Sequence, residues 1–261
     1  MKIGGEVGYR FLRWLKPKGE FQKAGEFRAS YIPVIKRVVG DDGWESLRDK
    51  TILDFGCGIG VGSVEMARHG ARRVIGLDIR QDALDVAKES AEKAGVSAIC
   101  TFCDAADERV DVIVSMNAFE HFDDPAGVLR AMCEMLKDDG FVLLSFGPTW
   151  YHPLGGHLFS VFPWSHLLFS EEAQIRWRSD FKTDGATRFQ EVAGGLNMMT
   201  IKRFVSLVDE SGFRFRSFRP VPIKPLAWAH HRLTRECTTS VLDCTLVKKA
   251  PAALDDDKES S

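Results

Sequence analysis

Apolar residues run along this chain in two rhythms. Short, nearly continuous apolar runs occur at Ile52-Leu53, Val74-Ile-Gly-Leu77, Ala98-Ile-Cys-Thr-Phe-Cys103, Val110-Asp-Val-Ile-Val-Ser115 and Phe141-Val-Leu-Leu-Ser-Phe146. Runs of that length and composition suit strands buried on both faces of a parallel sheet. Helical spacing fills the gaps. Residues 64–69 end at Gly70, and residues 81–94 place Ala83, Leu84, Ala87 and Ala91 on one face before Gly95. Asp124-Pro125 supplies cap and first-turn chemistry for a helix that turns Val128, Leu129, Met132 and Met135 inward. Asp138-Asp-Gly140 then reads as the turn into the fifth strand. Thr200 starts a further helix over 201–210, ended by Gly212; residues 213–221 alternate as a half-solvated strand, and 240–247 read as the last strand. Strand and helix alternating in this way predict an α/β, doubly wound sheet.

The first turn carries the most chemistry. Thr51-Ile-Leu-Asp-Phe-Gly-Cys-Gly-Ile-Gly-Val-Gly-Ser63 puts Asp54 before glycines at 56, 58, 60 and 62. Glycines let the backbone turn tightly and let a ligand approach where a Cβ would collide. A dinucleotide is one candidate occupant, but Gly-x-Gly-x-x-Gly/Ala fails at Val61, and a pyrophosphate near Asp54 would meet a like charge. Asp78 closes the second strand, where a carboxylate can accept from both hydroxyls of a ribose; capping the next helix is a compatible role.

Asp54-Phe-Gly-Cys-Gly-Ile-Gly60 resembles the Asp/Glu-x-Gly-x-Gly-x-Gly motif of the class I S-adenosylmethionine (SAM)-dependent methyltransferases. Phe119-Glu-His-Phe-Asp-Asp-Pro125 is similar to a second motif of that family, after the fourth strand. The resemblance covers about residues 45–146. It implies a Rossmann-like, seven-stranded, mostly parallel sheet whose last strand is antiparallel between the fifth and sixth, SAM as cofactor, and methyl transfer as activity. Carried onto this sequence, the cofactor-binding positions are Asp54, Phe55, Gly56, Cys57, Gly58, Asp78, Ile79, Asp104, Ala105, Ser115 and Asn117. Asp104 would accept from the adenine amino group. Some members read Glu-x-x-Glu-His and bind a divalent ion; here Asn117 replaces the first carboxylate of Asn117-Ala-Phe-Glu-His121, so no metal is expected.

Residues 147–195 exceed what a minimal sheet connection needs. They hold aromatic residues throughout, eight of them from Trp150 to Phe181 and then Phe189, and leave the edge where doubly wound sheets bind ligands. A lid over the acceptor is expected. His157 in Gly-Gly-His and His121 are the candidate proton acceptors, with His152 and His166 also in the lid.

Composition trims the partners. A formal charge of −2 gives no basic field to gather DNA, although residues 1–30 and 213–236 are locally basic. Six scattered cysteines and the lack of a leader or membrane-length apolar run point to a reducing cytoplasm. Cys100-Thr-Phe-Cys103 lies in a strand, its cysteines on opposite faces, and reads as structural. Residues 1–50 read as helices beside the cleft; a membrane-surface helix is the alternative, opposed by Gly4, Gly5, Gly8, Pro17 and Gly19. Residues 51–250 form the methyltransferase domain, and 251–261 an acidic, disordered tail. The expected function is methylation of a small-molecule acceptor, at oxygen. Methylation of RNA or a lipid head group, or SAM binding without catalysis, are the alternatives. Oligomeric state is not legible.

Overall fold

The apolar runs become strands because each can bury both faces. The computed structural model describes residues 2–16, 30–192 and 195–250. Its strands are β1 (Thr51–Phe55), β2 (Arg73–Leu77), β3 (Cys100–Cys103), β4 (Val110–Met116), β5 (Leu136–Phe146), β6 (Phe213–Pro222) and β7 (Thr239–Lys248). They form one sheet in the order β3-β2-β1-β4-β5-β7-β6. Only β7 runs antiparallel, paired to β5 on one side and β6 on the other. The resemblance implied that arrangement. The chain winds outward through β2 and β3, then returns to β4 beside β1. Ligands of such sheets sit at the carboxyl ends of the strands flanking that reversal.

Nine α-helices flank or extend the sheet among the described residues: α1 (Gly5–Leu15), α2 (Ile32–Glu45), α3 (Val61–His69), α4 (Gln81–Lys93), α5 (Pro125–Met135), α6 (Ser165–Leu168), α7 (Glu171–Ser179), α8 (Ile201–Glu210) and α9 (Arg235–Thr238). Alternation along the strands sorts side chains into two layers. Ile52, Val74 and Val112 pack with Ile35, Met66 and Leu84, while Leu53, Ile75 and Ile113 pack with Leu129, Met132 and Phe204. Cys100 and Cys103 part in the same way, one into each layer. A third cluster stands apart. Trp150, Phe159, Phe169, Trp177 and Phe189 of the insertion pack on each other and on Tyr9 and Leu12 of α1.

Three local expectations are corrected. Gly5 and Gly8 do not interrupt α1; Gly8 lets it lie against α7, where an added Cβ would come within 3.0 Å of Ala173. The opposite stripe of α1 leaves Val7, Phe11 and Trp14 exposed. Strand β3 starts at Cys100, because Ile99 still belongs to the turn in which its N–H donates to Val96. Strand β5 starts at Leu136, and Asp138–Gly140 falls inside it, where the register against β4 slips between Val110 and Val112. Phe21, Phe27 and the tail 251–261 lie outside the described residues.

Candidate functional site

After β1 the backbone takes positive φ at Gly56 (80°), Gly58 (51°) and Gly60 (77°), values that glycine adopts without strain. The three do different work. A Cβ on Gly60 would stand 2.7 Å from that of Ala87, so its role is close packing of loop on helix. A Cβ on Gly58 would meet nothing within 4 Å among the described residues, so this glycine faces open space. Gly56 and Cys57 donate to the Leu77 carbonyl, and Gly58 donates to Asp78 Oδ2 at 2.8 Å. Asp78 Oδ1 accepts from the Arg80 amide at 2.9 Å. Two backbone donors thus hold the Asp78 carboxylate over the loop, and each oxygen keeps a lone pair for a ligand hydroxyl.

That open space is a cavity of about 540 Å3. Gly56, Gly58, Asp78, Ile79, Asn117 and His121 line one wall. Ile79 is 92% exposed among the described residues, an apolar side chain on the cavity wall. Phe55 lines an adjoining cavity of about 350 Å3 with Phe122 and Gly127. Others do not reach the cavity. Asp54 is buried beneath the loop, its Oδ2 accepting from Ser63 Oγ at 2.6 Å. Desolvation pushes its carboxyl up to about 7, against the pull of that hydrogen bond and with help from the Asp78 charge. The Cys57 side chain packs into the sheet layer beside Ile52, which leaves only its backbone on the loop. Ser115 Oγ is buried, and Asp104 and Ala105 are exposed beyond the end of β3. Their side chains are absent from the cavity wall.

The opposite wall comes from the insertion, through Gln190, Val192 and Gly195. Here the two candidate histidines meet. His121 ends a 3-10 turn, Phe119–His121, after β4; His157 begins another, His157–Phe159, at φ 49°. Their ring centroids are 5.3 Å apart. His121 Nδ1 lies 3.0 Å from the Gly195 carbonyl, which can only accept. Nδ1 therefore bears a proton, and in the neutral ring Nε2 carries a bare lone pair. Burial, and then the neighbouring His121, depress His157 to about 4. Such a group is neutral at pH 7 but a weak base, which lowers its value as a lone proton acceptor. His166 is committed elsewhere, bonded to Trp150 O and Ser160 Oγ, and His152 Nδ1 accepts from the Leu154 amide.

Sequence reasoning missed several supports. Glu120 is buried beside His121, its Oε1 accepting from the Gly147 amide at 3.2 Å, and burial raises its pKa. Asn197 Nδ2 donates to Phe119 O and Phe122 O at 2.8 and 3.0 Å and so fixes the turn that carries both groups. Tyr31, at the start of α2, lays its ring on Gly62. These contacts join residues tens of positions apart, and no local spacing announces them.

A family model described as "Methyltransferase domain" matches residues 26–217. A ubiquinone biosynthesis O-methyltransferase of Neisseria meningitidis serogroup C is 35% identical over 132 residues, covering 48% of this chain and 56% of that protein. The Serratia proteamaculans protein of the same name is 36% identical over 142 residues, covering 51% and 55%. The chain thus spans about half the length of these curated relatives. Among solved structures, an S-adenosylmethionine-dependent methyltransferase from Mesorhizobium loti superposes with a TM-score of 0.53 at 17% identity, covering 84% of this chain and 97% of that one. The [4+2]-cyclase SpnF gives 0.54 at 16% identity, covering 86% and 85%. These likenesses show the fold. Since one of the two neighbours is a cyclase, they leave the reaction to be argued from the site.

Proposed function

The chain belongs to the methyltransferase-domain family, and from that premise we propose that it transfers a methyl group from SAM to an oxygen of a small, partly apolar molecule. One observation carries this reading: a single cavity joins the glycine loop and Asp78 to His121, whose ring lies 5.3 Å from that of His157. SAM supplies a methyl group already activated by its sulfonium. This chain's residues then have two tasks, to hold the adenosine end and to place and activate an acceptor. Gly58 leaves room for a close approach, Asp78 accepts from the ribose hydroxyls, and Ile79 covers an apolar ring face. Asp104 and Asn117 remain candidates for contacts with the base. Alignment of the reactants contributes up to roughly 7–11 kcal/mol of barrier reduction.

The acceptor end is the histidine pair under the aromatic insertion, which we read as a lid. A hydroxyl must lose its proton to become a good nucleophile, and the bare Nε2 of His121 faces that need. The relatives named as O-methyltransferases favour oxygen over nitrogen or carbon. Among the described residues no helix is long and apolar enough to cross a membrane.

Two measurements test the reading. SAM should raise the melting temperature and NAD should not; a ligand at 100 times its Kd stabilises by about 2.7 kcal/mol. With methyl-labelled SAM, label should appear on hydroxylated small molecules and not on RNA or phospholipid. Label on RNA or phospholipid replaces the acceptor class, and SAM binding without any transfer leaves a non-catalytic SAM binder. His121→Ala and His157→Ala should keep SAM affinity and lose about 100-fold or more in turnover. If both turn over like wild type, the oxygen assignment falls.

A further inference from the structure

We infer that the loop between β6 and β7, residues 223–238, docks the protein on a membrane surface that carries anionic lipid. Trp228 is 87% exposed there and Leu233 is 88% exposed. Large apolar side chains scattered singly on a surface are ordinary. These two share one short tip, beside exposed Pro225 and Ala227. The tip is well built. A 3-10 helix, Lys224–Ala229, leads into it and α9 leads out. Thr234 Oγ1 donates to the Ala229 carbonyl and closes it. His230 Nδ1 meets Thr238 Oγ1 at 2.9 Å, and the Ile223 amide donates to Thr238 O at 2.8 Å. The fold thus holds both apolar groups out in water, where they gain nothing until something covers them.

Charge selects the occupant. Lys224 and Arg232 are exposed on the same loop, and Arg235 lies 5.7 Å from the centre of the Phe218 ring. The loop's one carboxylate, Glu236, is occupied by the amides of Ile201 and Lys202 at the start of α8, at 3.0 and 2.7 Å. Tryptophan and leucine among lysine and arginine are the makings of an interfacial segment. The apolar groups enter the head-group layer, and the cations meet anionic head groups. Other occupants fit less well. A second copy would set these cations against their own kind, and two side chains fall far short of the ~800 Å2 per partner of a stable interface. RNA would stack on Trp228 but has no use for Leu233. The stripe of α1 is apolar too, yet there Arg10 pairs with Glu6 at 2.6 Å and Arg13 with Asp180 at 3.8 Å, which leaves less charge for lipid.

Strand directions give the loop its place. β7 is antiparallel to both β5 and β6, so β6 runs with β5. The loop therefore leaves the carboxyl edge of the sheet, the edge that holds the cavity. Docking brings that edge to the bilayer, where the partly apolar acceptors of the proposed reaction collect. Only this consequence rests on the proposed reaction; docking itself does not.

The test sediments the full chain with vesicles of phosphatidylcholine, alone or mixed with phosphatidylglycerol. Wild type should pellet with the mixed vesicles, poorly with phosphatidylcholine, and less as salt rises. Trp228→Ala combined with Leu233→Ala should weaken that binding about tenfold or more, and so should Lys224→Gln combined with Arg232→Gln. All four side chains are exposed, so Tm and SAM affinity should stay at the wild-type values. Wild type that stays in solution with both vesicles overturns the inference. So does binding unchanged in both paired variants, or lost only in Trp14→Ala, which moves docking to α1. Retention on single-stranded RNA without vesicle binding gives the surface to nucleic acid and overturns it as well. The proposed reaction fails separately. Vesicle binding without any methyl transfer keeps the docking loop and removes the reaction; methyl transfer to a soluble acceptor without vesicle binding keeps the reaction and removes the docking loop.

Discussion

The two walls of the cavity are built by different means. The sheet wall is made of backbone: glycines at positive φ, amide donors, and a carboxylate that two of those amides hold in place. Its geometry follows from regular strands, so its residues fall at strand ends that the apolar runs mark. The insertion wall is made of side chains. Its aromatic cluster packs on itself and on α1, apart from both layers of the sheet, and it delivers His157 to a partner on the other wall. One wall can hold a cofactor that many chemistries share. The other can be rebuilt without touching the sheet, and it is there that a choice of acceptor would reside.

The largest expected effect separates the walls by pH. Asp54, under the sheet wall, has its pKa raised from 3.8 to about 7. It binds its proton more tightly folded than unfolded. Its stabilising contribution is full below pH 3.8 and is lost as pH rises through 7. At ~1.4 kcal/mol per unit that loss is about 4 kcal/mol. His157, under the insertion wall, is depressed from 6.5 to about 4. Its contribution is full above pH 6.5 and is lost as pH falls through 4, by about 3 kcal/mol. The two slopes oppose each other between pH 4 and 6.5. Relative to wild type, Asp54→Asn should gain stability as pH rises from 4 to 7, and His157→Ala should gain it as pH falls from 6.5 to 4. Urea unfolding across that range reads both. Variant curves parallel to wild type would show that neither group is desolvated as described.

The same division explains what the sequence disclosed. Parallel strands buried on both faces announce themselves as apolar runs, and a strand–glycine–helix unit localises the loop. Gly56, Gly58, Asp78 and Ile79 were therefore legible, and they line one cavity. Asp54 and Cys57 were legible as motif positions but not as directions. The pleat sends them under the loop, and only coordinates show which way a motif side chain points. In the insertion a glycine pair singled out His157, yet nothing local tied it to His121. That link depends on Asn197 and Gly195 closing on the 119–122 turn across more than 70 residues.

Glycines sharpen the comparison within the sheet wall. Gly60→Ala forces a left-handed φ on a residue with a Cβ and presses that Cβ to 2.7 Å from Ala87 and 3.0 Å from Phe102. Strain of ~1–2 kcal/mol and overpacking of ~1–3 kcal/mol should together lower stability by about 2–4 kcal/mol. Gly58→Ala bears only the first cost, about 1–2 kcal/mol, because its Cβ enters open space. If that space receives SAM, the methyl group should weaken SAM binding at least tenfold, read by calorimetry. Unchanged affinity in Gly58→Ala would place the cofactor elsewhere.

The smallest effect asks whether the two walls melt together. Asp124 caps α5, against the sheet, by accepting from the Gly127 amide at 2.9 Å; Ser170 caps α7, in the insertion, by accepting from Ala173 at 3.3 Å. Removing either cap should cost about 1 kcal/mol of local stability, a roughly fivefold change in an opening constant. Segments with their own apolar cluster can open as separate cooperative units. The insertion has such a cluster, so Ser170→Ala should speed hydrogen exchange of the α7 amides about fivefold and leave the slowest amides of β1 and β4 unmoved. Asp124→Ala should speed those slowest amides, because α5 packs on the layer containing Leu53 and Ile113. Equal acceleration of β1 and β4 by both variants would mean that insertion and sheet unfold as one body. The insertion wall could then not be rebuilt independently of the sheet wall, since every change to it would be felt through the whole sheet.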